Sequence, residues 1–396
     1  MSAAPTRSAP AGPLRVGLVA GEHSGDQLGA ALIGALRAQR PELECFGVAG
    51  PKMIAAGCEA WAGTEQLAVM GLAEVVRHLP RLLCLRAALV RRFSAARPDV
   101  FVGIDSPEFN LALAARLRRS GIRCVQYVSP QVWAWRQGRV RTIGRACDLV
   151  LCLLPFEADF YTRHGVAARF VGHPLADQIP LQADRAGARR ALGVDAAATV
   201  IALLPGSRLA EVARLAEPFA AAAAWLQARR PRWQFIAPMA SPAIRESFAT
   251  HLAQAAAQTA IRVLDGQAQR VLAAADAALV ASGTATLETM LTGLPMVVAY
   301  KVNRVTAFLL RRLVRVPYVS QPNLLAGRRL VPEFIQQQVS GAALGAALLA
   351  ELEDPRRVAE LRAEFARVHQ TLRCGGAGLA AAAVLECAGR AGDAGA

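Results

Sequence analysis

The sequence predicts an α/β protein of two doubly wound parallel-sheet domains facing a cleft, and three observations predict it. Short continuous apolar runs recur from the N-terminus onward, the segments between them carry three- and four-residue spacing, and after a weak stretch at 176–198 the alternation starts again. A continuous apolar run suits a parallel strand covered on both faces, and the spacing supplies the helices that cover it. At 396 residues the chain exceeds the size at which one core stops growing, about 250–300 residues.

Residues 1–13, MSAAPTRSAPAGP, lack an apolar core and read as a disordered tail, neither signal peptide nor anchor. The first domain, 14–175, takes its strands from LRVGLVA (14–20), ECFGVAG (44–50), DVFVGID (99–105), IRCVQYVS (122–129), DLVLCLLP (148–155) and ARFVGHP (168–174). Within it, 66–93 is rich in Leu, Val and Met. Val69, Leu72, Val76, Leu79 and Leu83 share one helical face with Met70 nearby, Arg77, Arg81 and Arg86 surround it, and Pro80 predicts a pair of short helices. The stretch reads as a core helix, which its periodicity favours, or as an amphipathic surface dipping into anionic lipid.

The second domain, 187–340, follows a linker and a short helix. Its strands are expected in TVIALLPGSR (199–208), WQFIAPMA (233–240), TAIRVLDG (259–266), AALVASGT (277–284) and PMVVAY (295–300), and the tail 341–396 is helical.

The formal net charge is +15, nearly all from arginine because only Lys52 and Lys301 are lysines. Such a surface attracts nucleic acid, anionic membrane or phosphorylated substrates. No stretch interleaves basic residues with aromatics as a single-strand platform does, although PQVWAWRQGRVR comes near. The eight cysteines form no C-x-x-C pair and read as buried hydrophobes in a reducing compartment. No run approaches the ~18–20 apolar residues of a spanning helix, so a cytosolic protein with peripheral membrane contact at most is expected.

Polar loops after the strands carry the chemistry, because ligands of doubly wound folds bind at the strands' carboxyl ends. GEHSGDQLG (21–29) offers Gly21, Glu22, Ser24, Gly25 and Asp26 after the first strand. It lacks the G-x-S-x-G elbow of a serine hydrolase. GIDSPEFN ends a strand with Asp105, a general-base candidate or an Asx cap. QYVSPQVWAWRQGRVRTI puts Trp133 and Trp135 beside Arg136, either a wall for a sugar or phosphate or a packed loop. In GSRLAEVARL, Gly206, Ser207 and Arg208 open a helix, as a phosphate site or an ordinary turn. ASGTATLETM repeats that geometry with Ser282, Gly283 and Thr284, and Glu288 one turn in is able to take both hydroxyls of a ribose; helix capping is the plain alternative. Asn323, in VSQPNLLAGRR, reaches a nucleotide or satisfies a turn. No metal-ligand spacing occurs, and no metal is expected.

With these strings in view, the chain resembles the lipid-A-disaccharide synthase family over almost its whole length, through GEHSGD, LAVMGLAEV, GIDSPEFN, QYVSPQVWAWRQGR, LLPGSR, ASGTATLE and YVSQPNLLAGR. The resemblance implies the two-domain, Rossmann-like GT-B fold. It also implies inverting transfer of 2,3-diacylglucosamine from UDP to the 6-hydroxyl of 2,3-diacylglucosamine 1-phosphate (lipid X), forming the β-1,6-linked disaccharide 1-phosphate of lipid A biosynthesis. The family's essential aspartate matches Asp105, and its phosphate-binding arginine matches Arg208. Its UDP contacts match Ser282 to Thr284, Glu288 and Asn323. Gly206 and Ser207 join the UDP loop, and Gly21 to Asp26 with Trp133 and Arg136 fall on the acceptor side.

No cofactor is implied. The family's last helices return to the first domain and exchange in a homodimer, so 341–396 is expected to pack there. Both substrates are membrane lipids, which turns the reading of 66–93 toward a peripheral contact with the cytoplasmic leaflet of the inner membrane, aided by AFLLRRLVRVPY (307–318). A UDP-sugar epimerase would share the fold without that patch, and a nucleic-acid binder would explain only the charge.

Overall fold

A computed structural model of the chain describes residues 12–67, 72–255, 259–303, 306–308, 314 and 316–389. Contacts divide it into two units, residues 1–174 with 373–396, and residues 175–372.

The first unit is a parallel seven-stranded sheet: β1 (Leu14–Ala20), β2 (Leu43–Ala49), β3 (Cys58–Gly63), β4 (Val100–Ile104), β5 (Arg123–Tyr127), β6 (Leu149–Cys152) and β7 (Ala168–Phe170). The order is β3-β2-β1-β4-β5-β6-β7. The chain runs outward one way from β1 and then the other way from β4, which makes the gap between their carboxyl ends the topological switch point. The register pairs Ala20 with Ile104, so Gly21 and Asp105 leave the sheet side by side.

The second unit has β8 (Val200–Leu204), β9 (Gln234–Met239), β10 (Ile261–Asp265), β11 (Ala277–Ala281), β12 (Met296–Tyr300) and β13 (Glu333–Ile335). Its order, β10-β9-β8-β11-β12-β13, puts the switch point between β8 and β11. Leu204 pairs with Val280, and the 206–208 and 282–284 loops follow within a few residues of that rung.

Every residue of β4, β8 and β11 is buried, which is why their apolar runs are continuous. The strands absent from the sequence reading, β3 and β13, are both sheet edges. In β3 only Cys58 is buried and two residues face solvent, so the run is broken, and β13 has three residues, too few for a periodic signal.

Two expectations change. Leu72–Ala96 is one helix with Pro80 inside it, not a pair. Its C-terminal half is anchored by Leu89 and Phe93, 2% and 0% exposed, and Phe93 meets Trp61 and Phe101. Burial of two such side chains, worth about 1.5–3 kcal/mol each, offsets the cost of about 3 kcal/mol for an internal proline. Of the 341–396 tail, the helices Gly341–Glu353 and Pro355–Leu372 fall in the second unit, and the return to the first unit begins at Arg373. There the helix Gly376–Cys387 buries Ala380, Ala381, Val384 and Leu385 in the β1–β6 core. Arg169 and Glu386 add an exposed ion pair at 2.8 Å.

The 176–198 stretch belongs to the second unit. Asp184 caps the helix Arg185–Leu192 by accepting from Gly187 N. Arg185 and Arg189 both bind Asp276, which also accepts from Val200 N.

Candidate active site

In the first unit the β1 and β4 exit loops meet. Asp105 and Ser106 adopt φ of 53° and 39°, two consecutive left-handed non-glycine residues, before the helix Pro107–Arg119 begins. Such a turn is strained for L residues, and it holds Asp105 half-buried just past the carboxyl end of β4. Gly21 admits it, since a Cβ at that position would overlap the Ser106 hydroxyl. Ser24, at the start of the helix His23–Gln39, donates to Asp105 Oδ2 over a long 3.5 Å. Glu22 is the exposed N-cap of the same helix, and Gly25 is buried beneath it.

Asp26 corrects an expectation. It is 1% exposed, and its two oxygens accept from Met53 N at 2.9 Å and Lys52 N at 3.0 Å. It ties the helix Pro51–Ala55 to the helix His23–Gln39 that carries it, and both of its oxygens are engaged there. Trp133 departs in the same way. It is 8% exposed, packs edge-on against Phe156, and donates Nε1–H to Glu157 Oε1 at 3.1 Å. Glu157 also accepts from Leu154 N, and burial pushes its carboxyl up to about 7. Trp135 is the exposed aromatic, with the Arg136 guanidinium over its ring at 4.1 Å.

In the second unit, the turn after β8 presents Gly206 at φ 124°. A Cβ there would lie 2.6 Å from Glu211 Oε2. Ser207 N donates to that oxygen at 3.2 Å, while Arg208 Nη1 donates to Glu211 Oε1 at 3.1 Å. Glu211, in the first turn of the helix Leu209–Arg229, therefore orders the whole loop. Its signal was a glutamate three residues after the N-cap, the capping-box position. The Arg208 side chain is 80% exposed, so a guanidinium stands at a helix N-terminus with its surface open to an anion.

The 282–284 loop lies across from it in the same sheet. Ser282 donates its hydroxyl to Val319 O at 2.7 Å and its N–H to Ala299 O. Gly283 and Thr284 are exposed at the start of the helix Thr284–Leu291. Burial raises the Glu288 carboxyl above its ordinary range. Asn323 does not face this loop. It is 0% exposed, with Nδ2 donating to Val331 O and Glu333 Oε1 and Oδ1 accepting from Leu330 N and Val331 N. All four of its hydrogen-bonding positions are used, which corrects its reading as a nucleotide contact. Glu333, missed in the sequence, joins Asn323 to Val319 N, Ser320 N and the Ser320 hydroxyl.

A family model described as lipid-A-disaccharide synthetase matches residues 16–384, a span that holds both loop pairs. The chain belongs to the lipid-A-disaccharide synthase family. A curated lipid-A-disaccharide synthase of Alkalilimnicola ehrlichii is 56% identical over 378 residues, 95% of this chain and 99% of that protein. One from Serratia proteamaculans is 51% identical over 376 residues, covering 95% and 98%. Among solved structures, the UDP-GlcNAc 2-epimerase of Neisseria meningitidis bound to UDP-GlcNAc superposes with a TM-score of 0.63 at 11% identity, covering 92% of this chain and 97% of that one. A calicheamicin glycosyltransferase gives 0.56 at 17%, covering 95% and 99%. These likenesses show the GT-B fold. Membership of the lipid-A-disaccharide synthase family makes the chain a glycosyltransferase of lipid A biosynthesis.

Proposed function

We propose that the chain joins UDP-2,3-diacylglucosamine to the 6-hydroxyl of 2,3-diacylglucosamine 1-phosphate, forming the β-1,6-linked lipid A disaccharide 1-phosphate and UDP with inversion. The observation that carries this reading is Asp105, held at a switch point in a turn of two consecutive left-handed residues. A carboxylate so placed is able to take the proton of an acceptor hydroxyl while the oxygen attacks the anomeric carbon from the side opposite the leaving UDP. Charge then grows on the departing diphosphate. Arg208 and the helix start at Ser282 to Thr284 meet that charge without a metal, and Glu288 takes the ribose.

The two lipid substrates are reached through a peripheral contact with the inner membrane. No helix among the described residues is long and apolar enough to cross a membrane. Val69 and Met70 lie outside the described residues, and Leu72 and Val76 begin the helix Leu72–Ala96. Leu79 and Leu83, 47% and 43% exposed, carry the reading. A homodimer exchanging its last helices is part of the same proposal.

Incubation with the UDP-linked donor and the monosaccharide phosphate, followed by mass measurement, is expected to give the disaccharide phosphate and UDP in equal amounts. Free UDP with no disaccharide would favour an epimerase.

A further inference from the structure

We propose that Asn110 and Gln126 are positioning residues for the transfer, two buried amides that clamp the turn presenting Asp105; this rests on Asp105 meeting the acceptor. The turn needs a clamp. Asp105 and Ser106 are both left-handed, and Val128, a β-branched residue just past β5, sits at φ 75°, a conformation that side chains of that shape avoid. Three such residues at the carboxyl ends of adjacent strands persist only where the surroundings over-determine them.

The surroundings are two primary amides. Asn110, on the helix Pro107–Arg119, directs Nδ2 at Asp105 O (2.9 Å), Ile104 O (3.2 Å) and Val19 O (3.3 Å). Gln126, on β5, directs Nε2 at Asp105 O (3.1 Å), Val128 O (3.3 Å) and Tyr127 O (3.4 Å). Both amides converge on one carbonyl, that of Asp105. From the other side Asp105 N donates to Tyr127 O at 2.9 Å. The backbone of the carboxylate-bearing residue is thereby held to β1, β5 and its own helix at once.

Burial sharpens this. Asn110 and Gln126 are 0% and 1% exposed, so neither reaches a substrate, and their bonds are stronger for the low local dielectric. Gly103 makes the room, since a Cβ there would lie 2.7 Å from Asn110 Cβ. Asn110 Oδ1 is buried with no hydrogen-bond partner, a costly state for an amide oxygen. Its side-chain hydrogen bonds all run through Nδ2.

The experiment measures kcat and both KM values in Gln126→Met and Asn110→Ser, alone and combined with Asp105→Asn. Expected is a kcat loss of about 10- to 100-fold with the donor KM unchanged, since small misplacement of a reacting group costs on that order. In the Asp105→Asn background the second change is expected to alter the residual rate less than about twofold, because coupled residues are non-additive. The same loss in both backgrounds, or wild-type kcat in the folded single variants, overturns the proposal. Should Gln126→Met not fold, Asn110→Ser decides by the same criteria. An active Asp105→Asn enzyme would overturn the reading of Asp105 and the clamp with it, whereas an inactive one beside an active Gln126→Met overturns the clamp alone.

Discussion

Ser24 Oγ donates to Asp105 Oδ2 over 3.5 Å, joining the loop after β1 to the loop after β4. The two residues are 81 positions apart, and the sheet register brings them together. At that distance the bond is at the limit of what counts as one. Ser24 orients the carboxylate weakly through Oδ2, and among the described residues no hydrogen bond is made to Oδ1. Replacement of Asp105 by Asn keeps the shape and removes the base, so kcat is expected to fall by about 10²–10⁴-fold. Ser24→Ala is expected to cost less than about tenfold, because a bond stretched to 3.5 Å is weak even to a carboxylate. Steady-state rates of disaccharide formation check both, and a Ser24→Ala loss equal to that of Asp105→Asn would make the serine a principal ligand.

Arg208 is held by Glu211 at 3.1 Å while most of its surface is exposed. An arginine in that state is already turned to the helix N-terminus and needs little reorganisation to meet a diphosphate. Arg208→Ala is expected to raise the barrier by about 2.7–4 kcal/mol, as removal of one transition-state donor does. The loss should appear in kcat at saturating donor, and an unchanged kcat there would remove the residue from the chemistry. Arg208→Lys should recover part of the loss, since a point charge replaces a bidentate fork.

How far these loops were legible depends on where each side chain's partner lies in the chain. The β1, β4, β8 and β11 strands could be read because burial on both faces leaves an unbroken apolar string, and the loops that follow them then fell at the strands' carboxyl ends; that they flank the switch points comes from the strand order, which no apolar string encodes. Asp26 and Asp105 look alike locally, each a carboxylate just beyond a strand. What separates them is 26 residues away, in the Lys52 and Met53 N–H groups that occupy Asp26. Trp133 was drawn to the solvent side by its arginine neighbours, yet Glu157, 24 residues on, holds it inside. Asn323 stands in a loop that reads as polar and exposed, and only the return of the chain through Leu330 to Glu333 shows its amide to be saturated. Gln126 gave no signal, because a single polar residue in a strand reads as a defect until the carbonyls around it are known.

Glu157 predicts a pH dependence of stability. Its carboxyl rises from an ordinary 4.5 to about 7 because it is buried beside Trp133. The folded protein therefore holds this proton more tightly than the unfolded chain. Its contribution is fully present below about pH 4.5 and is lost as the pH rises through about 7, by at most about 3 kcal/mol. Urea unfolding at about pH 5 and about pH 8, compared with Glu157→Gln, isolates the effect, since the variant cannot titrate. The wild-type protein should lose more stability than Glu157→Gln over that interval, and parallel losses would place the titration elsewhere.

Leu79 and Leu83 lie four residues apart on the helix Leu72–Ala96, both exposed, with Arg81 exposed between them. One helical turn separates them, so they share a face. Among the described side chains of that helix the buried ones, Leu89 and Phe93, come farther along, while Leu79 and Leu83 stay exposed. Two exposed leucines beside a guanidinium suit the headgroup boundary of an anionic bilayer, where apolar burial and charge attraction act together. Changing both to Ser removes about 1.5–3 kcal/mol of burial for each leucine that inserts fully. Co-sedimentation with vesicles containing anionic lipid is expected to weaken by roughly tenfold or more. The thermal midpoint should stay nearly unchanged, because neither side chain is in the core. Equal sedimentation of variant and wild-type protein would exclude this face as the membrane contact, and a large drop in the midpoint would return the leucines to a packing role.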